Sequence, residues 1–371
     1  MAQAILAHGA ISKKFCREPL GMGQYCAQCL PKREGPHENL VKEDLVRSGS
    51  NFITDKAAGQ VHMIIVAMDY KLTANPLSCT MDAINMYNLA QQCGITDIKI
   101  LHDQQGPLVK RVATQAIVDT LATCRPNDYF LFYYSGHGCL LSDANDYDEE
   151  EDEDNAYCFQ RADGQIDYKS CMSDDEFADL ITRNVPRGVR TLVLSDCCHS
   201  DTVCDFSKRI WDGKIGLSIS GCLDNQTSGD IGSGGIFTHS MLLAIDKLSQ
   251  AIAQGRITRE YSVGLLFNAT LMEKQRYFRM ARQQICIEHT NYSNTDQVRF
   301  PLIPRGLYFA PLHRAGRGIV GLGGAPPAVD VPAHVLSQCA LSPDIGVMEE
   351  EFVEALEEAL EETLDEDEKE E

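Results

Sequence analysis

No run of about eighteen or more apolar residues occurs in this 371-residue sequence, so a membrane-spanning helix is not expected. The opening MAQAILAHGAISKKF has no basic stretch ahead of its short apolar segment and is not read as an export leader. Cations are also scarce, with 33 Lys and Arg against 54 Asp and Glu. A nucleic-acid-binding body needs a basic surface to displace phosphate counterions, so that class is set aside. Without an export signal, the fifteen cysteines are read as reduced thiols of a cytoplasmic protein rather than a disulfide framework. Their odd number leaves at least one over for reactivity.

The acidic excess is uneven. Residues 148–154 read DEEEDED, and residues 349–371 carry fourteen acids and one lysine. These two stretches hold all but one of the 21 net negative charges, so the remaining chain is almost neutral. They are read as solvated segments suited to a hard cation or a basic partner. An apolar share of 44% is ordinary for a globular protein with a sizeable core.

Residues 1–58 show no sustained apolar period and are read as a flexible N-terminal arm, with Cys16, Cys26 and Cys29 as incidental thiols. HMIIVAM (62–68) has the continuous apolar character of a strand buried on both faces. Further strands are expected at 98–102, 128–136, 191–196 and 214–220, and a late one at QVRFPLI (297–303). Helical spacing appears at 80–93, 108–123, 175–181, 236–253 and 261–277. Strands alternating with helices predict an α/β fold, a mostly parallel central sheet flanked by helices on both faces. The folded domain is placed at 59–310, with a large region at about 59–210 and a small one at about 215–310. Residues 311–371 form a Gly/Pro-rich linker and an acidic tail whose Phe352, Leu356, Leu360 and Leu364 recur every four residues, an amphipathic pattern suited to a partner.

Two strand ends carry unusual residues. One runs into Ser135-Gly136-His137-Gly138, the other into Asp196-Cys197-Cys198-His199-Ser200. Parallel sheets present functional loops at the carboxyl ends of their strands. If the two strands are neighbours, His137 meets a cysteine there. The thiolate is the attacking species and a free thiol is mostly protonated at neutral pH, so an adjacent imidazole serves as general base. Backbone N–H groups of Gly138 and of the nucleophile would hold the developing oxyanion. Chemistry alone does not choose between Cys197 and Cys198.

YYSGHG (133–138) and DCCHS (196–200) resemble the histidine and cysteine motifs of metacaspases, and in that pattern Cys198 is the nucleophile. LSCTMDA (77–83), SGCLDNQTSGD (220–230) and GGIFTHSML (234–242) are similar to further segments of that family, in the order of its type I members. The resemblance implies a caspase-like sandwich and a cysteine endopeptidase with a Cys198–His137 dyad. It also implies a pocket for arginine or lysine built from Asp82 and Asp196 with Cys79 and Ser135, Asp224 contributing or ordering its loop. Buried acids favour a cationic partner, so cleavage after Arg or Lys is expected rather than after aspartate.

The same resemblance implies Ca2+ as cofactor, held by Asp174, Asp175 and Asp205. Where the family has a further aspartate, AYCFQRADG offers Gln160 or Asp163. Asp201 stands where the family has glycine. Lys208, Arg209 and Lys214 mark a segment suited to self-cleavage. The expected partners are peptide or protein substrates and a binder of the acidic tail, with no nucleic acid and no membrane, and the protein is expected to act as a monomer. Two rival readings are an inactive caspase-like binding module and a zinc hydrolase using His137, Cys197, Cys198 and His199.

Overall fold

The computed structural model describes residues 59–141, 154–200, 202–223, 226 and 228–311. The N-terminal arm, most of the acidic run, Asp201, Asp224 and the C-terminal linker and tail lie outside these residues.

Six hydrophobic residues and one buried histidine, with no polar alternation, make β1 (Val61–Ala67) a central strand, and the chain then winds through α1 (Cys79–Cys93) to β2 (Asp97–His102). Gly94 ends α1 in the left-handed region, at φ 79°, where its N–H closes the helix on Gln91. α2 (Lys110–Leu121) returns to β3 (Tyr129–Ser135), a strand buried at every position. There follow β4 (Gly138–Leu141), β5 (Asp154–Cys158), β6 (Cys171–Ser173), α3 (Asp174–Asn184) and β7 (Arg190–Asp196). A short 3-10 turn (Arg209–Trp211) precedes β8 (Ile215–Ser220), and α4 (Ile236–Ala253), α5 (Val263–Tyr277) and β9 (Cys286–His289) complete the order.

The main sheet has strand order β2-β1-β3-β7-β8-β9 and is parallel except for β9. Side chains alternate across it. Met63, Ile65 and Ala67 pack under α1, α4 and α5 with Met86, Met241 and Leu266; Ile64, Val66 and Met68 pack under α2 and α3 with Ile117 and Phe177. The predicted mostly parallel α/β sheet with helices on both faces is therefore present. A second sheet, β4-β5-β6, is antiparallel and was not foreseen. QVRFPLI is a correction: it forms only the isolated bridge between Ser262 and Arg299, since Pro301 lacks the N–H a ladder needs. The late strand is β9, earlier in the chain.

Candidate active site

The order β2-β1-β3 reverses the direction of winding between β1 and β3, and ligand sites in such sheets form where it does. Beside that point β3 and β7 run parallel in register, Ser135 opposite Asp196. His137 and Cys198 therefore each stand two residues beyond a matched pair. Backbone bonds tie the two loops together, Gly136 N donating to Asp196 O at 3.3 Å.

His137 is held from several sides. Its Nε2 lies 2.7 Å from the backbone oxygen of Asn75, its own N–H donates to the Tyr70 hydroxyl at 3.1 Å, and Tyr70 packs on the ring at 4.5 Å between centroids. A carbonyl oxygen only accepts, so Nε2 carries the hydrogen and Nδ1 holds the lone pair. Burial pushes the His137 pKa down, partly opposed by the bond to Asn75. The ring is thus set as a neutral base whose free nitrogen is Nδ1.

The neighbouring cysteines separate by burial. Cys197 is fully buried and its thiol is pushed well up by loss of solvent. Cys198 is partly exposed, and the backbone N–H of Ser228 donates to its Sγ at 3.3 Å. A donor on sulfur favours thiolate, so the geometry supports Cys198 as the reactive thiol. Gly138 meets this loop edge-on: a Cβ there would lie 1.8 Å from Cys198 O. Only glycine lets its backbone N–H come so close to the nucleophile loop.

Two buried carboxylates lie alongside. Asp82 in the first turn of α1 accepts from Ser135 Oγ at 2.7 Å and from Gly235 N at 3.0 Å. Asp196 accepts from Ser228 Oγ at 2.8 Å and from Thr238 N and Oγ1 at 2.8 and 2.7 Å. Among the described residues neither has a cationic partner. Burial first, then the charge of Asp196, raises the Asp82 pKa well above the usual carboxylate range, and burial raises that of Asp196. Cys79 is buried beside them, its thiol pushed up by burial and by Asp82. Asp82, Asp196, Ser135 and Cys79 are therefore brought together; Asp224 lies outside the described residues.

Sequence reasoning missed Asp230. Its carboxylate accepts from Ser78 N and Oγ at 2.6 and 2.5 Å, and its charge acts on His137, Asp82 and Asp196. It also missed Tyr70 and Asn75. Asn75 acts through a backbone oxygen, which no side-chain pattern signals.

Asp174, Asp175 and Asp205 converge, with carboxylate oxygens within 4.8 Å of one another. Ser173 caps α3, accepting from Glu176 N at 3.2 Å, and so sets Asp174 and Asp175 at the helix start. Burial and the nearby Asp205 push Asp174 up to about 7. The Lys208 ammonium pairs with both Asp175 and Asp205. The side-chain oxygen of Asn155 is buried without a hydrogen-bond partner, while its N–H donates to Asp174 at 3.0 Å.

Two sequence expectations are corrected here. The Gln160 side-chain oxygen is engaged elsewhere, accepting from Leu108 N at 3.0 Å. Asp163 instead pairs with Arg161 and closes a turn on Gln165 N. The zinc-hydrolase set is also corrected: the ligand-capable clusters among the described residues include none of His137, Cys197, Cys198 and His199.

Fold and site define a class, an α/β protein with a cysteine and a histidine at adjacent carboxyl ends of a parallel sheet. Residues 62–207 match the family model of the metacaspase, peptidase C14 domain. Metacaspase-1 of Candida glabrata is 30% identical over 169 residues, covering 43% of this chain and 41% of that protein. Metacaspase-2 of Arabidopsis thaliana is 28% identical over 248 residues, covering 57% of this chain and 56% of that protein. The chain thus spans about half the length, or less, of these relatives. Among solved structures, a protein from Geobacter sulfurreducens aligns over 67% of this chain and 98% of its own, with TM-score 0.47 and 21% identity. Caspase-1 from Spodoptera frugiperda covers 64% of this chain and 92% of its own, with TM-score 0.41 and 11% identity. Residues 62–207 are thus similar to the metacaspase peptidase domain, and the curated relatives matched are metacaspases.

Proposed function

We propose that this chain is a cysteine endopeptidase that cleaves after arginine or lysine, with Cys198 as nucleophile and His137 as general base. The observation that carries the reading is the fixed His137 tautomer at the strand end matched to Cys198. His137 Nδ1 takes the thiol proton and the Cys198 thiolate attacks the scissile carbonyl carbon. The carbonyl oxygen gathers negative charge beside the N–H groups of Gly138 and Cys198. As the tetrahedral adduct collapses, the C–N bond breaks and the imidazolium returns its proton to the leaving amine. Water, deprotonated by the same ring, then hydrolyses the thioester and restores the thiol.

Asp82 and Asp196 supply the specificity. Their buried, unpaired carboxylates suit a guanidinium or ammonium, whereas a substrate aspartate would add a third negative charge. Turnover of Arg- and Lys-ended peptides, and none of Asp-ended ones, is the expected result. No turnover of any of them, with no alkylation of Cys198 by a basic chloromethyl ketone, would sink the reading.

The oxygen-rich cluster of Asp174, Asp175 and Asp205, beside the orphaned side-chain oxygen of Asn155, whose backbone N–H donates to Asp174, fits calcium as a hard ion. The ion would supply charge that three converging carboxylates lack, and it would compete with Lys208. For self-processing, Arg209, whose side chain is 98% exposed, is better suited than Lys208, which is tied in ion pairs. A reducing, cytoplasmic setting suits the described cysteines, none of which forms a disulfide.

A further inference from the structure

The second sheet carries a cluster that peptide hydrolysis does not use. Cys139 on β4, Cys158 on β5 and Cys171 on β6 bring their Sγ atoms within 4.8 Å of one another, and Cys139 and Cys171 are 3.7 Å apart. The register explains how. Cys158 pairs directly with Cys171, and Cys139 pairs with Ala156, two residues before Cys158. All three thiols therefore stand on one face, running diagonally across three strands. We propose that this trio is a zinc site, a soft-metal centre of three thiolates with its fourth position toward solvent on the Cys139 side.

Geometry excludes a disulfide between the two outer cysteines, Cys139 and Cys171. β4 and β6 flank β5, so their backbones are separated by about two strand spacings, roughly 9.5 Å. A disulfide needs Cα atoms about 4.4–6.8 Å apart, which excludes Cys139–Cys171 without moving a strand. Tetrahedral zinc at about 2.3 Å from each sulfur puts sulfurs about 3.8 Å apart, close to the separation seen. Core filling is the plain alternative, since buried cysteine packs as a small hydrophobe. The apolar surroundings are too slight for that: only Ala156 joins Cys158 and Cys171 as a buried member, with Cys139, Leu141 and Ile166 at the margin.

The protonation of the trio points the same way. Hydrogen bonds among the three thiols pull Cys139 down to about 4 and push Cys158 and Cys171 up. A divalent ion would take the place of the protons these three thiols share. Binding releases the protons still held by the three thiols and leaves Zn2+ with three thiolates and one water. The Lys110 ammonium, which donates to Cys171 O at 2.8 Å, offsets part of the resulting negative charge. Cys139 directly follows Gly138, and Cys171 begins the strand that leads into Asp174. The ion would therefore staple the proposed oxyanion donor to the strand feeding the acidic cluster.

The test uses the full-length chain, reduced and freed of metal, titrated with Zn2+ or Co2+ alone. One equivalent should bind, Co2+ should give a thiolate-to-metal charge-transfer band, and Zn2+ should raise the thermal midpoint. The band should vanish in the Cys139→Ser/Cys171→Ser variant, with zinc affinity down by about 100-fold or more, beyond a typical outer-shell loss. It should persist in Cys198→Ala and in the Cys16→Ser/Cys26→Ser/Cys29→Ser variant, and Cys158→Ala gives an independent check should the double variant misfold. A missing band in the parent protein, or one that survives loss of Cys139 and Cys171, overturns the site. None of these readouts depends on peptidase activity.

Discussion

A thiol attacks only after it loses its proton, and at residue scale the adjacent cysteines differ in whether that can happen. Cys197 is buried with its thiol pushed up, whereas Cys198 reaches solvent and takes a backbone donor on sulfur. Cys198→Ala should lower kcat/KM by at least about 1000-fold, as loss of a nucleophile does elsewhere. Cys197→Ser should leave kcat within severalfold of the parent and cost about 1–3 kcal/mol of stability for a buried hydroxyl. Equal loss of kcat in both variants, at equal folded fraction, would refute the assignment. His137, the Cys198 thiol, Asp82 and Asp196 were legible in the sequence because each uses its side chain. Asn75 and the Ser228 N–H were not, because each acts through its backbone.

The pocket acids titrate in an unusual direction. Burial raises Asp82, so near the pH where an ordinary aspartate is ionised, about 4, it is still protonated. Between that ordinary value and the raised one, the folded state holds a proton the unfolded chain has lost, so empty-pocket stability falls as pH rises. A bound guanidinium offsets that loss. The thermal shift given by a small guanidinium ligand should therefore grow with pH, and kcat/KM for Arg substrates should decline on acidification before an ordinary aspartate would protonate. Asp82→Asn should lower kcat/KM for Arg substrates by roughly 10- to 100-fold, the worth of a charged hydrogen bond, and flatten the pH response of the ligand shift. A shift independent of pH in the parent protein would count against the pocket.

Elements decide the control site. The N-cap at Ser173 places two aspartates at the start of α3, and the left-handed residue Asp205, at φ 47°, swings the third toward them. Lys208, three residues on, already neutralises part of that charge from within the chain. A part-exposed ion pair is worth about 1 kcal/mol, so Lys208→Met should tighten calcium binding by roughly fivefold in calorimetry. Unchanged or weaker binding would remove Lys208 from the site. Long elements such as α4 and β3 were legible from their apolar pattern. The second sheet was not, since Gly138–Leu141 and Cys171–Ser173 are too short for periodicity, and pairing across a loop outside the described residues joins them. The convergence that makes Cys139, Cys158 and Cys171 a cluster therefore existed only in three dimensions.

At the scale of the whole molecule, residues on both sides of the proposed processing segment build one sheet and one pocket. β7 and β8 pair from Arg190 opposite Ile215 to Ser195 opposite Ser220, although the segment lies between them in sequence. Asp82 and Asp196 from the first part accept bonds from Gly235 and Thr238 of the second, and Tyr133 bonds Thr238 at 2.6 Å. Tyr129 reaches Arg299 O at 2.7 Å, and the larger core cluster draws buried residues from both parts. The segment itself is anchored, with Trp211 buried and its indole N–H donating to Cys204 O at 2.8 Å, so cleavage after Arg209 requires local opening. Once cut, the parts should stay together, because the ladder and the shared core do not depend on the broken bond. Limited proteolysis after Arg209 should yield two fragments that co-elute under native conditions and separate only in denaturant. They should retain Cys198 alkylation by an arginine-directed reagent. Fragments that part on native gel filtration would show that the continuous chain, rather than the β7–β8 ladder and the pocket bonds, holds the site together.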